Sequence, residues 1–78
     1  MITEKEIDAA LTELMDELAV DGVTALPLKR GADQLKEVLV IEKNEANRTK
    51  ALIEEIGLPL IVQPIIGTGL AEIKPCIF

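Results

Sequence analysis

The chain has 78 residues, a length typical of a single domain spanning residues 1–78, with a net charge of -6, no histidine and one cysteine. These counts exclude an internal disulfide and a zinc site made from cysteine and histidine, and nothing in the sequence indicates another metal or a cofactor. The acidic charge argues against nucleic acid as a partner, because phosphate binding needs a basic surface. No apolar run approaches the roughly 20 residues that cross a membrane, so we expect a cytoplasmic protein whose thiol stays reduced.

A first helix is predicted to begin at Thr3, which with Glu6 has the spacing of a capping box, and to end at Asp21 and Gly22. The apolar residues between them recur at the spacing of one buried helix face. They are Ile7, Ala10, Leu11, Leu14, Met15 and Leu18. Residues 1–21 contain seven acidic residues and one basic residue, and therefore carry all of the excess negative charge.

Two strands are predicted next, over residues 23–29 and 35–43. Pro27 indicates that the first is an edge strand, because proline cannot donate to a neighbouring strand. The β-branched run of residues 38–41 is apolar on both sides and is typical of a central strand that is covered on both faces. A single long helix over residues 35–56 is the competing interpretation of the same pattern.

A second helix is predicted from about Glu45 to Ile56, with Asn44 as its N-cap. The residues Ala46, Thr49, Leu52, Ile53 and Ile56 form its apolar face. Gly57, followed by a proline two residues later, is a strong signal for the end of a helix.

The last part of the chain is predicted to form a hairpin around Ile66–Gly69. A four-residue loop that pairs Ile65 with Leu70 directs the missing N–H groups of Pro64 and Pro75 away from the partner strand, whereas a two-residue loop would not. This register places the side chains of Leu60, Val62, Pro64, Ala71, Ile73 and Pro75 on one face. It places Gln63, Glu72 and Lys74 on the other face with Ile61, Ile65 and Leu70.

These elements predict an α+β fold with two layers, in the order α-β-β-α-β-β. The central β-α-β segment favours a crossover between parallel strands, and hence a mixed four-stranded sheet carrying two helices. Two short helices can cover one face of such a sheet, which leaves the other face open. Exposed apolar patches of this kind usually mark interfaces.

We therefore predict a non-catalytic structural or interaction module, because no histidine and no catalytic constellation is present. The predicted partner is a second copy of the chain or another protein. The interface candidates are the apolar residues Leu60, Val62, Ile65, Leu70, Ile73, Ile77 and Phe78. The alternatives are a component of a larger assembly such as a phage or prophage particle, and a small-ligand-binding domain. A further alternative is an acidic regulator that binds a basic protein through Glu13, Asp16 and Glu17.

Overall fold

The computed structural model describes residues 3–32 and 34–76. These residues form α1 (Glu4–Val20), β1 (Leu26–Arg30), β2 (Leu35–Glu42), α2 (Ala46–Ile56), β3 (Leu60–Ile65) and β4 (Leu70–Pro75), with a short 3-10 turn at Lys43–Glu45. The order is the predicted α-β-β-α-β-β, and the predicted α+β class is confirmed. The alternative of one long helix over residues 35–56 is wrong, since residues 35–42 form a strand.

The predicted start of α1 is confirmed by its cap. The Thr3 side chain accepts a hydrogen bond from the backbone N–H of Glu6 at 3.2 Å. The apolar face of the helix is buried, and its members Ala10, Leu11, Leu14 and Leu18 form a large part of the core. After Asp21 the chain turns away from the helix at Gly22, whose φ of 80° favours glycine.

The sheet has the strand order β1-β2-β4-β3, and every neighbouring pair is antiparallel. The prediction of a mixed sheet is therefore wrong in this respect. The strands β2 and β3 do run in the same direction, as a β-α-β crossover requires. The strand β4 returns from the hairpin and lies between them, so that no two parallel strands are neighbours.

The predicted hairpin register is confirmed. Ile65 pairs with Leu70, and the pairing continues to Leu60 with Pro75. In this register Pro75 lacks the N–H that would point toward β2, the strand on the side of β4 opposite β3. The pairing of β4 with β2 accordingly ends two residues earlier, at Ile73. The proline positions therefore set both the loop length and the extent of the central pairing.

The strand β2 contains a bulge that connects it to α1. Leu28 pairs with Val38 but Lys29 pairs with Lys36, so Glu37 is the extra residue. The backbone N–H of Lys36 donates to the Asp8 carboxylate of α1 at 2.9 Å, and its Nζ lies 3.5 Å from the same oxygen. The bulge thus turns Lys36 toward the helix, although strict alternation with Val38 would place it on the opposite side.

Both helices lie on one face of the sheet. The buried strand residues Leu39, Ile41, Leu60, Ala71 and Ile73 all face them. On the opposite side of β2, Val38 and Val40 are only half-buried. The expectation that this central strand is covered on both faces is therefore wrong, because both helices pack on the same side.

The helix α2 differs from prediction at its start and agrees at its end. Asn44 lies within the 3-10 turn and does not cap the helix; Glu45 occupies the cap position without a side-chain hydrogen bond. The buried Thr49 hydroxyl donates to the Glu45 carbonyl at 2.9 Å. Gly57 ends the helix as predicted, with a left-handed φ of 83°.

We expect Gly57→Ala to lower the free energy of unfolding by about 1 kcal/mol, since an L-residue resists the left-handed conformation. A Cβ at this position meets no atom within 4 Å, so the cost is conformational and not steric. In a domain of this size the melting temperature should fall by about 4–8 °C. Gly57→Asn, which tolerates this conformation better, is the matched control. Thermal unfolding followed by far-ultraviolet circular dichroism measures both, and equal melting temperatures for the alanine variant and the parent contradict the prediction.

The pKa of Asp8 lies below its usual value of 3.8, chiefly because the carboxylate accepts the Lys36 backbone N–H and secondarily because of the Lys36 charge. A lowered folded-state pKa stabilises the fold at pH values above 3.8, and this contribution is lost as the pH falls through the folded-state pKa. We therefore expect Asp8→Ala to lower the melting temperature at pH 7, and the difference from the parent to shrink in strongly acidic solution.

The control for this prediction is Asp16→Ala, which removes an exposed acidic residue from the same helix with no described cation in contact. Melting temperatures of the parent and both variants, measured from pH 7 to strongly acidic solution, provide the comparison. A similar fall for both variants at pH 7 would show that the contact with Lys36 does not contribute.

Candidate functional site

The sheet face away from the helices is built from three rows of side chains that run across the strands. Two rows cross the strands without a break, one with Leu26, Val40, Glu72 and Gln63 and one with Glu42, Leu70 and Ile65. The third row consists of two separate pairs, Leu28 with Val38 and Ile61 with Lys74, beyond the end of the β2–β4 pairing. We call these eleven residues the open face. Seven of them are aliphatic, and none belongs to the buried core. The strand pairing therefore presents an apolar surface that no element of the described chain covers.

The exposure of individual side chains supports this description. Among the described residues, six large apolar side chains are exposed, and four of them belong to the open face. Leu26 and Leu28 of the edge strand β1 are 62% and 55% exposed. Single exposed leucines are ordinary, whereas a contiguous group of aliphatic residues on one sheet face is typical of an interaction surface.

The polar residues of the open face are few and nearly balanced in charge. Lys74 Nζ lies 3.7 Å from a carboxylate oxygen of Glu72, its neighbour on the same side of β4. Gln63 is uncharged, and Glu42 lies at the end of the sheet. A solvent-exposed ion pair of this kind contributes little to the stability of the fold. Because the two charges are opposite, the middle of the open face carries no net charge.

The predicted interface candidates are divided between the two faces. Ile65 and Leu70 belong to the open face. Leu60 and Ile73 are 5% and 0% exposed beneath the helices, so their prediction as interface residues is wrong for this fold. Val62 is half-buried on the same side as Leu60. The candidates Ile77 and Phe78 lie outside the described residues.

The interface candidates predicted from the sequence left out five aliphatic residues of the open face. They are Leu26, Leu28, Val38, Val40 and Ile61. The alternation of leucines in β1 was an available signal, since Leu26 and Leu28 must point to the same side. The valines of β2 were missed because the strand was expected to be covered on both faces.

The acidic candidates Glu13, Asp16 and Glu17 are exposed on α1, on the side of the molecule opposite to the open face. None of them lies within ion-pair distance of a basic side chain among residues 3–32 and 34–76. The same residues contain no group of three or more acidic or cysteine side chains arranged to hold a metal ion. They are solvent-facing charges in this structure.

An apolar cleft lies at the end of the sheet that is remote from the β3–β4 loop. Its volume is about 730 Å³. Its lining includes the apolar residues Ile7, Leu35, Val38, Ile61 and Pro75 and the charged residues Glu4, Lys36, Glu37 and Lys74. The free thiol of Cys76 follows Pro75 and is half-buried. The cleft lining therefore combines five apolar residues with two acidic and two basic ones.

No helix in the described part of the chain has the length and apolar character needed to cross a membrane. Comparison of the chain with protein-family models, with curated proteins and with solved structures finds no match.

Proposed function

We propose that this protein is a non-catalytic interaction module that associates with a second copy of itself through the open face of its sheet. The observation that carries this proposal is the group of seven aliphatic residues on a sheet face that neither helix covers. Burial of apolar surface is the main force that drives such association. The chain also has no histidine, the commonest acid–base group of enzymes.

The charge distribution favours a second copy as the partner. The excess acidic residues lie on α1, behind the sheet, while the middle of the open face carries the Glu72–Lys74 pair and no net charge. Two copies joined through their open faces place the two α1 helices on the outside. The intervening layers separate these helices by roughly 30 Å, taking about 10 Å for each layer. This exceeds the screening distance of about 8–10 Å at physiological salt, so their mutual repulsion is small.

The sheet edges are less suitable for association than the face. In the strand order, β1 and β3 are the edge strands, and each contains a proline, Pro27 and Pro64. A proline removes one N–H donor from the strand, which hinders the addition of a further strand. The open face contains no such obstacle, and its packing against a copy gives a four-layer α/β/β/α arrangement.

The size of the open face indicates the strength of this contact. Four strands spaced about 4.8 Å apart, with about six residues each, cover roughly 400 Å² per copy. A stable interface of standard size uses about 800 Å² per partner. We therefore expect a reversible dimer that dissociates on dilution.

The test is the double substitution Leu26→Lys and Leu28→Lys. Both leucines are exposed on an edge strand, so the lysines should be tolerated in the monomer. In the dimer they bury unpaired charges, and the association constant should fall by about 100-fold or more. Sedimentation equilibrium or light scattering over a range of concentrations measures this, and both suit a chain without tryptophan or tyrosine.

The matched control is Val20→Lys, which introduces the same charge at an 84% exposed aliphatic residue that lies off the sheet. It should leave the association constant unchanged. A parent chain that remains monomeric at every soluble concentration contradicts the proposal, and so does an equal effect of the control. Circular dichroism spectra of all variants exclude unfolding as the cause.

A further inference from the structure

The two charged side chains in the middle of the open face stand on one strand in a fixed order. Glu72 and Lys74 are two residues apart on β4, about 7 Å along the strand, and their charged groups approach to 3.7 Å. The strand β4 lies between β2 and β3, so neither residue is on an edge strand. Their side chains are 32% and 36% exposed, and both can contact a molecule that covers the face.

A partner that covers the open face must therefore meet two opposite charges held side by side. An entirely apolar surface would remove both charges from water without replacing their solvation, and a surface of one charge would repel one of them. A second copy offers the same acid and the same base, and in a two-fold contact every pairing occurs twice. Each charge is matched when Glu72 of one copy faces Lys74 of the other.

The orientation of the two-fold axis decides whether this match is made. Packed sheets keep their strand directions within about 30° of each other, so the axis runs either along or across the strands. An axis along the strands reverses the strand order, which sets the pair over the valines of β2 or, when β4 lies over β4, over like charges. An axis across the strands at the level of Ile73 lays each strand over its own copy in the opposite direction. This second arrangement sets Glu72 over Lys74 of the other copy.

The same axis brings the aliphatic residues of the open face together. It places Leu26 over Leu28 of the other copy in β1, and Val40 over Val38 in β2. Gln63 is then opposite an isoleucine, but it is exposed on the edge strand β3, where its amide remains close to water. Apolar groups thus face apolar groups in the arrangement that also pairs the opposite charges.

We propose that Glu72 and Lys74 fix the alignment of the dimer by forming two reciprocal ion pairs between the copies, with the two β4 strands running in opposite directions over Ile73. This inference rests on the proposed open-face dimer and names the residues that give it one register. Facing sheets are about 10 Å apart, a separation that a lysine and a glutamate side chain span together. Moving the axis by one residue sets Glu72 over Glu72 or Lys74 over Lys74, and like charges in contact oppose association.

The first experiment reverses one charge at a time. Glu72→Lys sets bases over bases and Lys74→Glu sets acids over acids, so each variant should lose about tenfold or more in its self-association constant. An equimolar mixture of the two variants should associate at least as strongly as the parent, because a basic face then meets an acidic one. Sedimentation equilibrium over a range of concentrations measures all the samples. A mixture that associates no better than either variant alone overturns the proposal.

The matched control reverses a charge behind the sheet. Asp16→Lys changes the net charge by the same amount as Glu72→Lys, but it lies exposed on α1. It should leave the association constant unchanged. Equal weakening by the two variants would assign the effect to net charge and overturn the proposal. Circular dichroism spectra show whether each variant is folded, as expected for substitutions at partly exposed residues.

The second experiment identifies the facing strands with disulfides in a Cys76→Ala background. Chains carrying Leu26→Cys and Leu28→Cys are mixed under mild oxidation, and one of them carries a terminal tag so that the mixed dimer separates on a non-reducing gel. The axis across the strands sets these two thiols opposite each other, so mixed dimers should exceed the share expected for random pairing. Leu26→Cys mixed with Gln63→Cys is the reference, because β1 and β3 are opposite edges of the sheet, about 14 Å apart. Preferential linkage in that reference mixture indicates an axis along the strands and overturns the proposal.

Failure of this inference can be distinguished from failure of the dimer itself. A parent chain that is monomeric at every soluble concentration overturns both. A parent chain that associates, and that Leu26→Lys/Leu28→Lys makes monomeric, upholds the open-face dimer. If the two charge-reversed variants then fail to complement each other, the dimer stands and the reciprocal ion pairs are wrong.

Discussion

A four-stranded sheet has two faces, and this chain packs both of its helices on one of them. The leucines of α1, together with Ile53 of α2, seal the side that contains Leu39 and Ile73. The opposite side receives no layer from the described chain, although seven of its eleven residues are aliphatic. Removing apolar surface from water is favourable by about 25 cal/mol per Å², so covering this aliphatic face by association would lower the free energy. The proposed dimer depends on this one-sided coverage.

The position of β4 determines what each face displays. Because β4 lies between β2 and β3, Ala71 and Ile73 fall under the helices at the centre of the core. The alternate residues Glu72 and Lys74 then fall in the middle of the open face, where they form an ion pair. A buried ion pair is retained only when its geometry compensates for desolvation. In the proposed dimer, this central pair would be buried and would constrain how the two copies align.

The contact between Asp8 and Lys36 links the two layers at the point where β2 departs from regular pairing. A bulge leaves a backbone N–H that does not take part in the normal ladder, and the helix supplies the carboxylate that accepts it. The bulge also lies next to the residues that line the cleft, since Lys36 and Val38 both contribute to that lining.

The sequence alone determined the local features of this protein. Helix periodicity and the Thr3 cap defined α1, Gly57 defined the end of α2, and the two prolines of the hairpin defined its register, because each acts through backbone geometry within a few residues. The same proline argument correctly divided the hairpin residues into two faces. The distribution of charged residues along the sequence also placed the excess negative charge on the segment that contains the first helix.

The face that the helices cover and the position of β4 in the sheet depend on contacts between residues far apart in sequence, so local patterns could not predict either of them. Leu60 and Ile73 are consequently core residues, while Leu26 and Val40 lie on the open face. An apolar residue in a strand has the same pattern whether a helix or solvent lies above it. The side on which the helices pack determines which strand residues are buried in the core and which form the open face. It therefore also determines where the candidate interaction surface lies.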